Sequence, residues 1–206
     1  MNRALRIVLD VNILVGNLIA YDRGHKGTAM QTLVSMVSGQ TWGFADRAQL
    51  VISFEMIETL ETVLRRMQVT EARIKAYSNA LVDVMRYGPD GLDPYLILGG
   101  EERFAMSDVE DAGVLATAVG AKADLLVTDN LRDFVTKDAA VIDTQIVQTA
   151  SGSRPLQALR YQIGAADVII GHPFDVMRWL RLGYDFTPGI LWSAISGPLI
   201  EPDPAQ

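Results

Sequence analysis

Acidic residues lie in this sequence where short apolar segments, typical of buried strands, end or where the neighbouring helices begin. Six of them come from four separate segments: Asp10, Glu55, Glu58, Asp111, Asp129 and Asp133. In an open sheet flanked by helices, ligands bind beyond the carboxyl ends of the strands. We therefore expect these side chains to converge at one edge of a sheet.

Carboxylates that converge repel one another, and they need a cation unless their pKa values rise. The sequence has no cysteine and only two histidines, His25 and His172, which are far apart in the chain. Cysteine-based zinc and iron–sulfur sites are therefore excluded, and oxygen ligands favour Mg²⁺ or Mn²⁺. A divalent ion in such a site activates a water and neutralises charge on a phosphate, which predicts phosphodiester hydrolysis.

The composition is that of a folded globular chain. Of 206 residues, 49% are hydrophobic and 21% are charged, which argues against disorder. The formal net charge of −7 lacks the strongly basic footprint of a protein that binds duplex DNA. Polar residues interrupt the apolar start of the chain, and no window approaches the length of a membrane span. We expect a cytoplasmic protein that does not contact membranes.

The elements that would position the acids alternate between strands and helices. Apolar, partly β-branched segments predict strands at 5–9, 49–52, 124–128 and 140–150. Helical periodicity predicts helices at 27–38, over about 14 residues after Ser53, at 70–86 and at 109–120. The turn-rich residues 88–107 predict a long loop, alone or with a short strand at 95–98. This order predicts an α/β fold with a central parallel sheet and helices on both faces.

The pattern changes near residue 150. Residues 151–155 are typical of a hinge, and helices are predicted at 155–163 and 173–182, with a short apolar run at 167–170 between them. We therefore predict a first domain over residues 1–150 and a mainly helical extension over residues 151–206 that packs on it. This extension also offers a surface for a homodimer or another partner.

Three segments together resemble the acidic motifs of PIN-domain nucleases. Residues 7–15 (IVLDVNILV) resemble the opening motif, residues 108–118 (DVEDAGVLATA) the third motif and residues 123–134 (ADLLVTDNLRDF) the fourth. The helix after residues 51–53 is similar to the second motif region. The resemblance covers about residues 5–145 and implies a three-layer PIN-like fold.

The resemblance also implies roles for individual residues. It carries over Asp10, Asp111 and Asp133 as ligands of Mg²⁺ or Mn²⁺, with Asp129 as the close alternative to Asp133. The second motif departs from the family, because the position expected to hold glutamate is Thr59. We assign its catalytic role to Glu58 and keep Glu55, one helical turn earlier, as the alternative.

The function implied is that of a metal-dependent endoribonuclease cleaving single-stranded RNA, often the VapC-like toxin of a toxin–antitoxin pair with an antitoxin protein as partner. The departure at Thr59 and the negative charge motivate an alternative, a degenerate, non-catalytic PIN-like module that binds RNA or protein. A phosphotransfer domain with Asp10 as phosphate acceptor is a third reading. It is disfavoured, because Asn12 stands where a second acid would be needed.

Overall fold

The computed structural model describes residues 3–39, 48–93, 109–149 and 152–197. Within these ranges the strands are β1 (Leu5–Leu9), β2 (Ala48–Val51), β3 (Leu125–Val127), β4 (Ala139–Thr149), β5 (Gly152–Ile163) and β6 (Ala166–Gly171). They form one sheet in the order β2-β1-β3-β6-β5-β4. The first four strands of this order are parallel to one another, β5 pairs antiparallel with β6, and β4 pairs antiparallel with β5.

Helices cover both faces of the sheet. In the described ranges they are α1 (Val11–Asp22), α2 (Ala29–Val37), α3 (Phe54–Arg66), α4 (Glu71–Arg86), α5 (Val109–Gly120), α6 (Pro173–Arg181) and α7 (Pro188–Ser196). A single 3₁₀ turn spans Leu131–Phe134. No helix in the described part of the chain is both long and apolar enough to span a bilayer.

Local sequence explains why the central elements form where they do. The last three residues of β1, Ile7 to Leu9, are fully buried, as expected for parallel strands covered on both faces. Thr28 and Gln31 cap α2 reciprocally in a capping box. The Ser53 side chain accepts a hydrogen bond from the Met56 amide and so caps α3 at the end of β2. These caps set where α2 and α3 begin.

Most predicted elements of the first 150 residues are confirmed, but α1 was not predicted. Residues 11–20 are almost uniformly apolar, and they carry buried residues on several sides of the helix. A helix that is hydrophobic all round gives no periodic signal. The predicted short strand at 95–98 lies outside the described residues.

The prediction of a mainly helical C-terminal extension is wrong. The predicted central parallel sheet is confirmed for β2, β1, β3 and β6, but it continues in antiparallel pairings with β5 and β4. Residues 155–163, predicted as a helix, belong to the antiparallel strand β5. Leu156, Leu159 and Ile163 have helical spacing in the sequence, but pairing with β4 and β6 determines the conformation. Gly164 adopts a positive φ of 59° in the two-residue turn between Ile163 and Ala166, which suits a tight hairpin.

Strands from both predicted parts of the chain, residues 1–150 and 151–206, therefore belong to one sheet. The apolar run predicted at 167–170 lies in β6, which sits between β3 and β5. Residues 153–155 of the predicted hinge pair with β4 within β5. The predicted helix at 173–182 is confirmed as α6.

Candidate active site

The parallel strands end in register along one edge of the sheet. Leu9 of β1 pairs with Val127 of β3, and Val127 pairs with Gly171 of β6. The residues that follow, Asp10 and Thr128, therefore stand next to each other. The Asp10 amide continues the ladder by donating to the Val127 carbonyl at 3.0 Å. We call this line of strand ends the carboxyl edge.

Asp10 is the central acidic group of the carboxyl edge and is only 5% exposed. Its Oδ2 accepts hydrogen bonds from Thr128 Oγ1 at 2.6 Å and from Asn12 Nδ2 at 2.7 Å. Thr128 Oγ1 in turn accepts from the Asn130 amide at 3.0 Å. The sequence analysis missed Thr128 as a positioning residue. The sequence feature that could have indicated Thr128 is its position at the end of the predicted strand at 124–128, which ends beside β1.

The environment of Asp10 disfavours its charged form. Burial raises the pKa of its carboxyl group to about 6. The negative charge of Asp129 acts in the same direction, whereas the hydrogen bonds from Thr128 and Asn12 oppose the rise. A cation next to Asp10 would offset both the burial and the repulsion.

A cavity of about 620 Å³ opens at Asp10 between helices α1, α2, α3 and α5. Five carboxylates line it: Asp10, Glu55, Glu110, Asp111 and Asp129. The rest of the wall is mostly apolar and includes Val15, Ile19 and Met30. The cavity therefore has an acidic end at the sheet edge and an apolar end along α1.

In α3, Glu55 faces this cavity and Glu58 does not line it. Glu55 is in the first turn, directly after the Ser53 cap, and is half-buried on the cavity wall. Thr59, one turn further, lines the same wall. Glu58 lies about 100° round the helix from Thr59 and is exposed. The glutamate kept as the alternative is thus the one at the cavity.

After β3, Asp129 lines the cavity and Asp133 is not among its lining residues. Burial raises the pKa of Asp129 above its usual range. Asp133 is exposed in the 3₁₀ turn and accepts a hydrogen bond from the Asn130 side chain. The buried Phe134 next to it anchors that turn.

Helix α5 brings two acids to the cavity from its first turn, Asp111 and Glu110. Asp111 was predicted as a site residue. Glu110 was not predicted as a site residue. The structure therefore adds Glu110 to the residues at the site.

The donor chemistry of the cavity fits a hydrated Mg²⁺ or Mn²⁺ ion. Asn12 Oδ1 is buried and has no hydrogen-bond partner within the described ranges, so an oxygen ligand or an acceptor for a bound water is available beside Asp10. In the same ranges no three Asp, Glu or His side chains are close enough to hold one ion directly. Mg²⁺ does not need three direct carboxylate ligands, because it keeps several waters and binds through one or two carboxylates.

Basic side chains near the second motif are engaged in ion pairs away from the cavity. Arg65 and Lys75 both pair with Glu61, and Arg65 also pairs with Glu71. His25 and Lys26 follow the far end of α1, about 18 Å along the helix from Asp10. They line a separate surface pocket.

Comparison with known families agrees with the resemblance seen in the sequence. A family model described as the PIN domain matches residues 6–132, which is more than half of the chain. The match includes β1 from its second residue on, all of β2 and β3, and every carboxylate that lines the cavity. No curated protein and no solved structure matches the chain.

Proposed function

The chain belongs to the PIN-domain family, and from this premise we propose that it is a metal-dependent endoribonuclease acting on single-stranded RNA. The observation that carries the proposal is the cavity at the carboxyl edge. Five carboxylates from four segments line it, and no lysine or arginine is among its lining residues in the described part of the chain. Such a wall repels a phosphate unless a cation is bound.

We assign the metal-binding role to Asp10 and Asp111, which both line the cavity. Asp129 replaces Asp133 and Glu55 replaces Glu58 as further acids of the site, because they lie on the same cavity wall. The ion would be Mg²⁺ or Mn²⁺. When bound, it would lower the pKa of a water and neutralise charge that develops on the phosphate. Thr128 and Asn12 hold the Asp10 carboxylate in one orientation through their hydrogen bonds to Oδ2.

In the proposed reaction, water attacks the phosphorus of an RNA phosphodiester. The bond between phosphorus and O3′ breaks, leaving a 5′-phosphate on one fragment and a 3′-hydroxyl on the other. An acidic side chain on the cavity wall, Glu55 or Asp129, takes the proton that the attacking water loses. The O3′ leaving group takes a proton from solvent.

The test is cleavage of a mixed pool of single-stranded RNA with Mn²⁺ or Mg²⁺, against EDTA. We expect cleavage that needs the metal and falls by at least about a thousandfold in Asp10→Asn, since metal stabilisation of the transition state supplies several kcal/mol. Asp111→Asn should behave alike. If either variant cleaves normally while folded, the site assignment is wrong.

A second candidate is a PIN-like module that binds RNA or protein without cleaving it. The observation that favours it is that the described acids do not gather into a directly ligating trio. Well-folded wild-type protein that neither binds Mn²⁺ nor cleaves RNA would establish this alternative over the first.

The narrower assignment to a VapC-like toxin rests on the resemblance of the motifs. It implies an antitoxin protein as partner, together with cytoplasmic expression, and a homodimer is a further proposed assembly. Induced expression in bacteria should arrest growth with the wild-type chain and not with Asp10→Asn. Normal growth with the wild type would argue against a toxin without affecting the nuclease proposal.

A further inference from the structure

An exposed aromatic ring stands beside the carboxyl edge. Phe174 is 61% exposed and lies in the first turn of α6. This helix starts directly after β6, whose last residue, Gly171, is level with Val127 of β3. The Thr128 amide donates to the Gly171 carbonyl at 3.2 Å. Thr128 also donates its side-chain hydroxyl to Asp10. The start of α6 is therefore linked to Asp10 through this one residue.

The start of α6 is within reach of a short piece of single-stranded RNA bound at Asp10. Neighbouring strands lie about 4.8 Å apart, and β6 is two strands away from β1 in the sheet order. The strand ends are thus separated by about 10 Å. This is about three nucleotides at the roughly 3.4 Å rise of a stacked strand, and fewer when the strand is extended.

The surroundings of Phe174 offer a ring face and not a phosphate site. Its amide donates to His172 Nδ1 at 3.2 Å, and the amides of Asp175 and Val176 donate to the His172 carbonyl. The first-turn amides that could bind an anion are therefore used within the helix start. The His172 ring packs at 5.2 Å from the Phe174 ring with an interplanar angle of 46°, which supports the ring from one side.

We propose that Phe174 is a stacking platform for a base of the single-stranded RNA substrate, a few nucleotides from the cleaved bond. This rests on the endoribonuclease function proposed above. Bases of single-stranded RNA commonly stack on exposed aromatic side chains, and the contact tolerates any base because each has a π face. The ring therefore positions the strand without selecting its sequence.

A matched control exists at the opposite edge of the sheet. Tyr87 is 85% exposed and follows the end of α4. It lies three residues before Asp90, whose carboxylate binds Arg6 near the start of β1. Replacing Tyr87 removes an exposed aromatic ring of similar size without touching the carboxyl edge.

The experiment measures kcat/KM with Mn²⁺ for an oligoribonucleotide of about eight nucleotides. Phe174→Ala should lower kcat/KM by about tenfold, mainly through KM, as expected for loss of one stacking contact. Phe174→Trp should retain the wild-type value, and so should Tyr87→Ala. Cleavage of bis(p-nitrophenyl) phosphate, which has no base, should be the same in all four proteins.

A substrate series with one abasic ribose sharpens the test. In the wild type, one abasic position should cost the same factor as Phe174→Ala. Combined with Phe174→Ala, that abasic substrate should show no further loss, because both changes remove the same contact. If the loss in kcat/KM from Phe174→Ala multiplied with the loss from the abasic ribose at every position, the proposal would be overturned.

Several other outcomes would also overturn it. Equal effects of Phe174→Ala and Tyr87→Ala on RNA would do so, as would a parallel loss on the baseless diester. Unchanged RNA kinetics with lost self-association would show that the ring contacts protein instead.

If the wild type cleaves no RNA, the nuclease proposal fails separately. Binding of labelled RNA, measured by anisotropy, then decides: tenfold weaker binding by Phe174→Ala supports the platform, and equal binding overturns it.

Discussion

The two edges of the sheet surround their buried carboxylates with different partners. At the amino edge, where the parallel strands begin, Asp124 accepts from the Arg6 amide at 2.9 Å and forms an ion pair with Arg3. Asp90 binds the Arg6 side chain at 2.7 Å. At the carboxyl edge, Asp10 is as buried as Asp124, each being 5% exposed. Among the described residues, however, its hydrogen-bonding partners are neutral.

This difference separates acids that hold the fold together from acids available for chemistry. The Arg3 side chain and the Arg6 amide satisfy both oxygens of Asp124. At the carboxyl edge several carboxylates share a cavity, and the charge of Asp129 adds to the cost of ionising Asp10. Perturbed acids of this kind are typical of functional sites. Three sets of substitutions test the contrast, from the largest expected effect to the smallest.

The largest effect on stability is expected from Asp10→Asn in the absence of metal. The pKa of Asp10 is raised from 3.8 to about 6, so the folded state holds this proton more tightly than the unfolded state. Ionised Asp10 therefore opposes folding, and Asp10→Asn should stabilise the protein in EDTA by up to about 3 kcal/mol at neutral pH. Urea unfolding of the two proteins measures the difference.

The pH dependence of that difference checks its cause. Well below pH 3.8, Asp10 is protonated in both states, so the two proteins should differ little. Stability of the wild type should fall relative to Asp10→Asn as the pH rises from about 4 to about 6, and the gap should stay constant above. A gap that is already present at low pH would show that packing, and not charge, is responsible.

At the amino edge we expect the opposite result from Asp124→Ala. The change leaves the part-buried Arg6 amide without its acceptor and breaks the ion pair with Arg3. It should destabilise the protein by about 2 kcal/mol, while RNA cleavage per folded molecule stays at the wild-type level. Urea unfolding and initial rates measure both quantities. Loss of cleavage in a folded Asp124→Ala protein would contradict the division between the edges.

The smallest of the three effects distinguishes neighbouring acids at the carboxyl edge. Glu55→Gln should lower kcat by about tenfold, as expected for an acid that holds the ion's waters. Glu58→Gln should remain within about twofold of the wild type, since surface substitutions away from a site have small effects. Asp129→Asn and Asp133→Asn form a second pair with the same expectation. A larger loss for Glu58 or Asp133 would restore the assignment first made from the sequence.

Much of the carboxyl edge could be predicted from the sequence. Asp10 follows a short apolar strand, and Asp111 and Asp129 lie in motifs that occur in order along the chain. The choice between Glu55 and Glu58 could not be predicted, because it depends on the rotation of α3 about its axis. That rotation is set by packing of residues such as Met56 and Leu60 against the core. The position of Glu110 depends in the same way on how α5 packs.

The fold could be predicted where periodicity is local and could not where it depends on distant pairing. Helices α2 and α3 have caps that the sequence shows, and α2, α3 and α4 have apolar faces. Strand β5 has helical spacing of Leu156, Leu159 and Ile163, and only its pairing with β4 and β6 makes it a strand. Strand β6 completes the carboxyl edge next to β3. Because this pairing joins distant parts of the chain, the sequence did not predict that His172 and Phe174 lie near the site.

The most direct test of the central claim is a calorimetric Mn²⁺ titration at neutral pH of wild type, Asp10→Asn and Asp124→Ala. We predict saturable binding by the wild type and by Asp124→Ala, and loss of binding in Asp10→Asn. Affinity should weaken as the pH falls below about 6, since protons compete with the ion for Asp10. Folded wild-type protein that binds no Mn²⁺, or Asp10→Asn that binds it equally well, would contradict a metal site at the carboxyl edge.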